Sequence, residues 1–269
     1  MTTNQHDRRS AMATMGGLAA TAAAASAIGS ARAQAAPRTF VLVHGSWHGG
    51  WCWSRVARIL RQHGHDVYTP TLTGLAERSH LMSGLITLDT HITDVVNVIR
   101  WESLENIVLV GHSYAGFVIS GVAERAPSAI SSIVFLDAFL PENGQRVVDM
   151  SPPELRATSL AAAAKNEVSR PVPPAKAFGV NEKDQAWVDA KMTPQPTLVS
   201  MQPIVLTGAR EKIGKKAYIR ATSFANAKFD EHLAKLKGDQ AWGTFGVPCG
   251  HDVMVDMPDK LADILMEVA

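Results

Sequence analysis

The segment Gly111-His112-Ser113-Tyr114-Ala115-Gly116 follows the apolar run Ile107-Val108-Leu109-Val110 and precedes a helical pattern from Phe117 to Arg125. A serine hydroxyl is a weak nucleophile until a base takes its proton and the backbone holds it exposed. A buried strand that ends in Gly-x-Ser and turns sharply into a helix supplies the exposure. Gly111 lets neighbouring backbone come close, and Ala115-Gly116 keep the helix start uncrowded; the usual pattern has Gly where Ala115 stands. Ser113 is the candidate nucleophile for acyl transfer.

Attack on a carbonyl puts negative charge on oxygen, which preorganised backbone N–H groups stabilise. Tyr114 N–H, at a helix start, is one candidate donor. The other is Ser46 N–H, in the loop His44-Gly45-Ser46-Trp47-His48-Gly49-Gly50 that follows the run Phe40-Val41-Leu42-Val43. Of ten histidines, His251 alone lies near the C-terminus between a strand and the last helix, in the flexible Cys249-Gly250-His251-Asp252 loop. It is the candidate base. His44 reads as structural because it belongs to a strand end, and His232 reads as a solvated residue on a charged helix.

The acid that orients the histidine is harder to place. The chain order Ser, acid, His fits a carboxylate after the run Ala217-Tyr218-Ile219-Arg220. The loop there, Ala221 to Asn226, holds none before Asp230. Asp137 ends the apolar run Ile133-Val134-Phe135-Leu136, where a charge is costly unless paired. Pairing with a histidine at the same sheet edge would explain it. Asp137 is preferred, with Asp230, Asp252 and Asp256 as alternatives.

These residues need a scaffold that delivers them to one edge. Short apolar runs alternate with helical patterns at Ser54–His63, at Leu88, Ile92, Val95, Val96 and Ile99, and at Leu261–Val268. Such alternation predicts a parallel sheet covered on both faces. Asp66-Val67-Tyr68-Thr69 and Trp242-Gly243-Thr244-Phe245 are further strand candidates. The Pro- and Ala-rich stretch of about 141–205 is too long for a plain loop. It is expected to be a helical cap inserted after the strand ending at Asp137.

Of 269 residues, 46% are hydrophobic and 19% charged, which suits one domain. Residues 1–35 read separately: Arg8-Arg9, an Ala/Gly-rich stretch and Ala33-Gln34-Ala35 describe a cleaved export signal, with the adjacent arginines favouring the twin-arginine type. A periplasmic or secreted location is expected. Asp7, Arg8, Arg9 and Arg32 lie in that segment, leaving 23 basic against 24 acidic residues of the 26 and 25 in the chain. That near-neutral remainder argues against a nucleic-acid surface. No other apolar run approaches the roughly 20 residues of a membrane span. Two cysteines, Cys52 and Cys249, cannot build a disulfide framework or a zinc cluster; two buried thiols are favoured over a single bridge.

The run from Phe40 to Trp53, with Gly111-His112-Ser113 and Gly250-His251, resembles the plant methylesterase and hydroxynitrile lyase branch of the α/β-hydrolase superfamily. Thr71-Leu72-Thr73-Gly74-Leu75-Ala76-Glu77-Arg78-Ser79-His80, Leu136-Asp137-Ala138-Phe139 and Pro248 to Met254 are more similar to bacterial pyrethroid-hydrolase-type esterases. The resemblance implies the α/β-hydrolase fold over 36–269, a mostly parallel sheet of about six strands flanked by helices. It also implies a carboxylesterase with no cofactor and no metal, acting on a small or medium hydrophobic ester. Trp47, Phe139, Leu140 and Trp187 are the candidate pocket residues. Haloalkane dehalogenases, on the same fold, place their acid where Asp137 stands. Two departures restrict the carry-over. Asp252 occupies the place of the lyases' lysine, which argues against a lyase, and plant methylesterases lack an aspartate at the Asp137 position. Carbamate, amide or lactone hydrolysis by the same machinery is the second reading, and a ligand-binding receptor on this fold the third. Oligomeric state is left open.

Overall fold

The computed structural model describes residues 36–269, so the export-signal expectation lies outside the described residues. In chain order the elements are β1 (Thr39–Val43), α1 (Ser54–Gln62), β2 (Asp66–Tyr68), α2 (Leu88–Trp101), β3 (Ile107–His112) and α3 (Ala115–Arg125). Then come β4 (Ile130–Leu136), α4 (Val147–Met150), α5 (Pro153–Ala164), β5 (Ser169–Arg170), α6 (Glu182–Asp189) and β6 (Gln195–Pro196). The chain closes with β7 (Lys215–Ala221), α7 (Ala227–Leu236), β8 (Trp242–Val247), α8 (Val253–Asp256) and α9 (Pro258–Glu267).

Six strands form one sheet in the order β2-β1-β3-β4-β7-β8, and every neighbouring pair is parallel. The period of two along a strand sorts its side chains into two cores. Phe40, Leu42, Val108 and Val110 pack with Val56 and Leu60 of α1 and Leu261 and Leu265 of α9. Val41, Val43, Leu109 and Ile133 pack with Ile92 and Val95 of α2 and Phe117 and Val118 of α3. Both faces are therefore buried, and β3 reads as an uninterrupted apolar run because each of its residues is buried.

The insertion between β4 and β7 is not purely helical. Beside α4, α5 and α6 it contains an antiparallel ribbon in which Ser169 pairs with Pro196 and Arg170 with Gln195. Two-residue strands carry too short a period to be read from sequence. His232 also departs from expectation. It is 9% exposed, and its Nε2 accepts a hydrogen bond from Leu140 N–H at 3.3 Å. It faces inward from α7, with Phe229 and Leu236 on the same buried side.

Candidate active site

Three loops leave the carboxyl ends of β1, β3 and β4, and each contains a non-glycine residue with left-handed backbone. Trp47 has φ 64°, Ser113 φ 55° and Asp137 φ 42°. Each such conformation costs about 1–3 kcal/mol and persists only where its surroundings over-determine it. At Ser113 they do so through hydrogen bonds from Ser113 N–H to Leu136 O and from Gly116 N–H and Phe139 N–H to Ser113 O. The turn is tight enough that a Cβ on Gly116 would lie 1.9 Å from Phe139 O. Small residues after Ser113 thus let α3 sit against the β4 exit.

Tyr114 caps this turn from below. Its ring is 1% exposed and its hydroxyl donates to His91 Nδ1 at 3.0 Å. Nε2–H of the same imidazole donates to Thr73 O at 2.9 Å, which leaves Nδ1 as the acceptor. Burial brings His91 down to about 4, so the ring stays neutral and the tautomer is fixed. Among the described residues no protein acceptor takes the Tyr114 or Ser46 N–H. Both donors remain available to an anion.

His251 is held on all sides. Its Nδ1 lies 2.6 Å from Asp137 Oδ2, and its backbone N–H donates to Phe178 O at 2.8 Å. Phe224 stacks on the imidazole at 4.6 Å, and Phe229 lies nearly parallel to it at 5.7 Å. The His112 ring, one residue before Ser113, is 4.4 Å away, and its Nε2 bonds His251 O at 3.1 Å. These contacts place the imidazole beside the Ser113 turn.

Asp137 is fully buried and divides its oxygens. Oδ2 meets His251, while Oδ1 accepts from Arg220 Nη1 at 2.7 Å and from Ala221 N–H at 3.0 Å. The other carboxylates do not reach His251. Asp230 bonds Arg220 Nε at 2.9 Å from an exposed position, and Asp256 bonds Asn181. Asp252, although adjacent in sequence, pairs with His48 Nε2 at 2.9 Å. Burial opposes charge on Asp252, but the charge and hydrogen bond of His48 outweigh it and hold the carboxyl below the usual range. The reciprocal balance raises His48.

His44 is structural. It is fully buried, its Nε2 accepts from Leu72 N–H at 3.0 Å, and its Nδ1–H donates to Gly45 O at 2.8 Å. Burial brings it down to about 3. Cys52 and Cys249 are both buried and unbridged.

The four expected pocket residues have the following surroundings. Trp47 joins the site loop and is clamped by the insertion: its N–H donates to Gln195 Oε1, its carbonyl accepts from Thr193 N–H, and Nε1 donates to Pro171 O. Phe139 and Leu140 pack in the core between α3 and α7, with the Phe139 ring 5.0 Å from Phe229. Trp187 lies against Trp51 at 5.1 Å and beneath the Arg55 guanidinium. Arg220, Phe224, Phe229 and the His48–Asp252 pair were not singled out from sequence. A charge ending the apolar run of β7 was the available signal for Arg220, by the argument that selected Asp137.

A family model described as the Alpha/beta hydrolase family matches residues 40–264. The carbendazim hydrolyzing esterase of Nocardioides sp. (strain SG-4G) is 43% identical over 84% of this chain and 97% of its own length. Putative methylesterase 14, chloroplastic, of Arabidopsis thaliana is 28% identical over 86% of this chain and 72% of its own. Among solved structures, an extracellular alpha/beta-hydrolase from Paenibacillus species superposes with a TM-score of 0.74 at 25% identity, covering 87% of this chain and 99% of that one.

Proposed function

The chain belongs to the alpha/beta hydrolase family, and on that premise we propose that it is a serine carboxylesterase acting on small to medium hydrophobic esters. The observation that carries this reading is the 2.6 Å hydrogen bond between His251 Nδ1 and Asp137 beside the strained Ser113 turn. That bond leaves Nε2 of His251 as the proton acceptor for Ser113 Oγ. Attack by Oγ forms a tetrahedral intermediate whose oxyanion sits between Ser46 N–H and Tyr114 N–H. Its collapse breaks the ester C–O bond, and His251 passes its proton to the departing alcohol. Water, deprotonated by His251, then attacks the acyl carbon; the bond to Ser113 Oγ breaks, His251 returns the proton to Oγ, and the acid leaves. The relatives named as esterases support the same reading.

The test is turnover of p-nitrophenyl acetate, butyrate and octanoate, with a fluorophosphonate probe mapped by peptide mass. Turnover with labelling at Ser113 is expected. Absence of both would return the chain to the ligand-receptor reading. Carbendazim and simple carbamates, amides and lactones belong in the same panel, since acyl transfer through Ser113 places no ester-specific demand on the triad. We also propose that residues 1–35 direct export; fractionation with N-terminal sequencing of the mature protein tests it, and an intact N-terminus in the cytoplasm contradicts it.

A further inference from the structure

The ribbon of β5 and β6 carries a cluster of polar atoms that the mechanism does not use. Arg170 is 5% exposed, and Nη1 and Nη2 donate to the hydroxyls of Ser159 and Ser200, each at 2.9 Å. Among the described residues its Nε–H has no partner. Among the described residues no carboxylate forms an ion pair with it. Gln195, its cross-strand partner, is fully buried; Oε1 takes Trp47 N–H, but the Nε2 amide is also unpartnered. Thr197 Oγ1, two residues on, is a third buried and unpartnered atom. A buried cation without a counter-charge is expensive, and buried donors are normally satisfied.

The cluster adjoins the site loop through Trp47, whose N–H donates to Gln195 Oε1. The Arg170 guanidinium stands over the Trp47 ring at 5.5 Å, and Trp47 follows Ser46 in the site loop. Arg170 also interacts electrostatically with the Tyr114 phenol, the side chain of the residue whose backbone N–H is the second candidate anion donor. We propose that Arg170 Nε–H and Gln195 Nε2–H form a recognition subsite for a hydrogen-bond acceptor on the substrate, outside the reacting carbonyl. The shared chemistry is an electron-rich oxygen or nitrogen, with a carboxylate the strongest case because the guanidinium lacks an acidic partner. The subsite's place in a reaction rests on the esterase reading; its binding does not. Burial brings Arg170 down to about 10, opposed by Tyr114, in keeping with a cation that no described carboxylate neutralises.

The experiment uses the full chain carrying Ser113→Ala and three ligands of matched length: methyl pentanoate, methyl 4-carbamoylbutanoate and monomethyl glutarate. Affinity is read from tryptophan fluorescence. The amide is expected to bind several-fold more tightly than the plain ester and the half-ester at least about tenfold more tightly, as hydrogen bonds to charged groups exceed neutral ones. Adding Arg170→Met is expected to bring the three within about twofold. Gln195→Glu keeps an acceptor for Trp47 N–H and gives Arg170 an internal carboxylate, so it too should abolish the preference while keeping the fold intact. Equal binding of all three ligands to the Ser113→Ala protein overturns the subsite, as does a preference that survives in either foldable variant. Selective binding without turnover by the wild-type chain leaves the subsite standing and removes the esterase reading.

Discussion

Arg220 faces Asp137 across the β4–β7 seam, with Nη1 2.7 Å from Oδ1 and the two side chains 2% and 0% exposed. The carboxylate bonded to His251 Nδ1 is thus balanced from its far side by a guanidinium, which in turn bonds Ala221 O, Phe224 O and Asp230. A buried pair of this kind contributes little net stability, but removing one partner leaves an uncompensated charge. Arg220→Met is expected to lower unfolding free energy by about 3–5 kcal/mol in urea titrations. The double variant Asp137→Asn, Arg220→Met should lose less than the sum of the singles. A wild-type midpoint for Arg220→Met would contradict this account.

The division of labour among carboxylates makes a kinetic prediction. Asp137→Asn is expected to reduce kcat on the order of 10⁴-fold, because the amide favours the wrong imidazole tautomer. Asp230→Asn touches only Arg220 Nε and should cost less than about tenfold. Steady-state kinetics on a p-nitrophenyl ester separate the two, and the reverse order would transfer the acid role to Asp230.

The His48–Asp252 pair links the β1 loop to the His251 loop and should leave a pH signature. His48 is raised in the fold, so its contribution is complete below its unfolded value of about 6.5 and fades as pH rises through the folded value. Asp252 is depressed, so its contribution is present above about 3.9 and fades as pH falls toward the folded value. Stability from the pair is greatest between those limits. Asp252→Asn is expected to cost about 2 kcal/mol near pH 6 and progressively less toward pH 9, read by denaturant titration. A pH-independent difference would show that the two groups do not share a proton-linked charge.

Two glycines differ in what they protect. At Gly116 an added Cβ meets backbone, so Gly116→Ala is expected to cost about 3 kcal/mol or more. At Gly45 the Cβ would lie 2.9 Å from His112 Nδ1 and 3.0 Å from Ser113 Cβ. Gly45→Ala should therefore fold but displace the nucleophile, lowering kcat more than thermal stability. Melting temperature and kcat on the same preparations check the contrast; equal effects at both positions would contradict it.

Much of this arrangement was legible in the residues. Continuous apolar runs marked β1, β3 and β4 because burial on both faces leaves no room for alternation. The same cost of burying a charge singled out Asp137 against the more usual later position, and the structure brings Asp137, not Asp230, to His251. What escaped were contacts between segments distant in sequence. His48 meets Asp252 across 204 positions, and Phe178 O reaches His251 N–H from the insertion. No periodicity announces such pairs. His232 was misplaced because its charged neighbours suggested solvent, whereas helix geometry turns it inward with Phe229 and Leu236.

The proposed esterase reaction requires a covalent intermediate at Ser113, and mass spectrometry of an acid-quenched reaction detects it. With p-nitrophenyl butyrate in excess, the wild-type chain should carry one butyryl group, confined to the peptide containing Ser113, and the Ser113→Ala chain should carry none and lose turnover. Undiminished hydrolysis by Ser113→Ala, or an acyl group on any other residue of a turning-over enzyme, would contradict it.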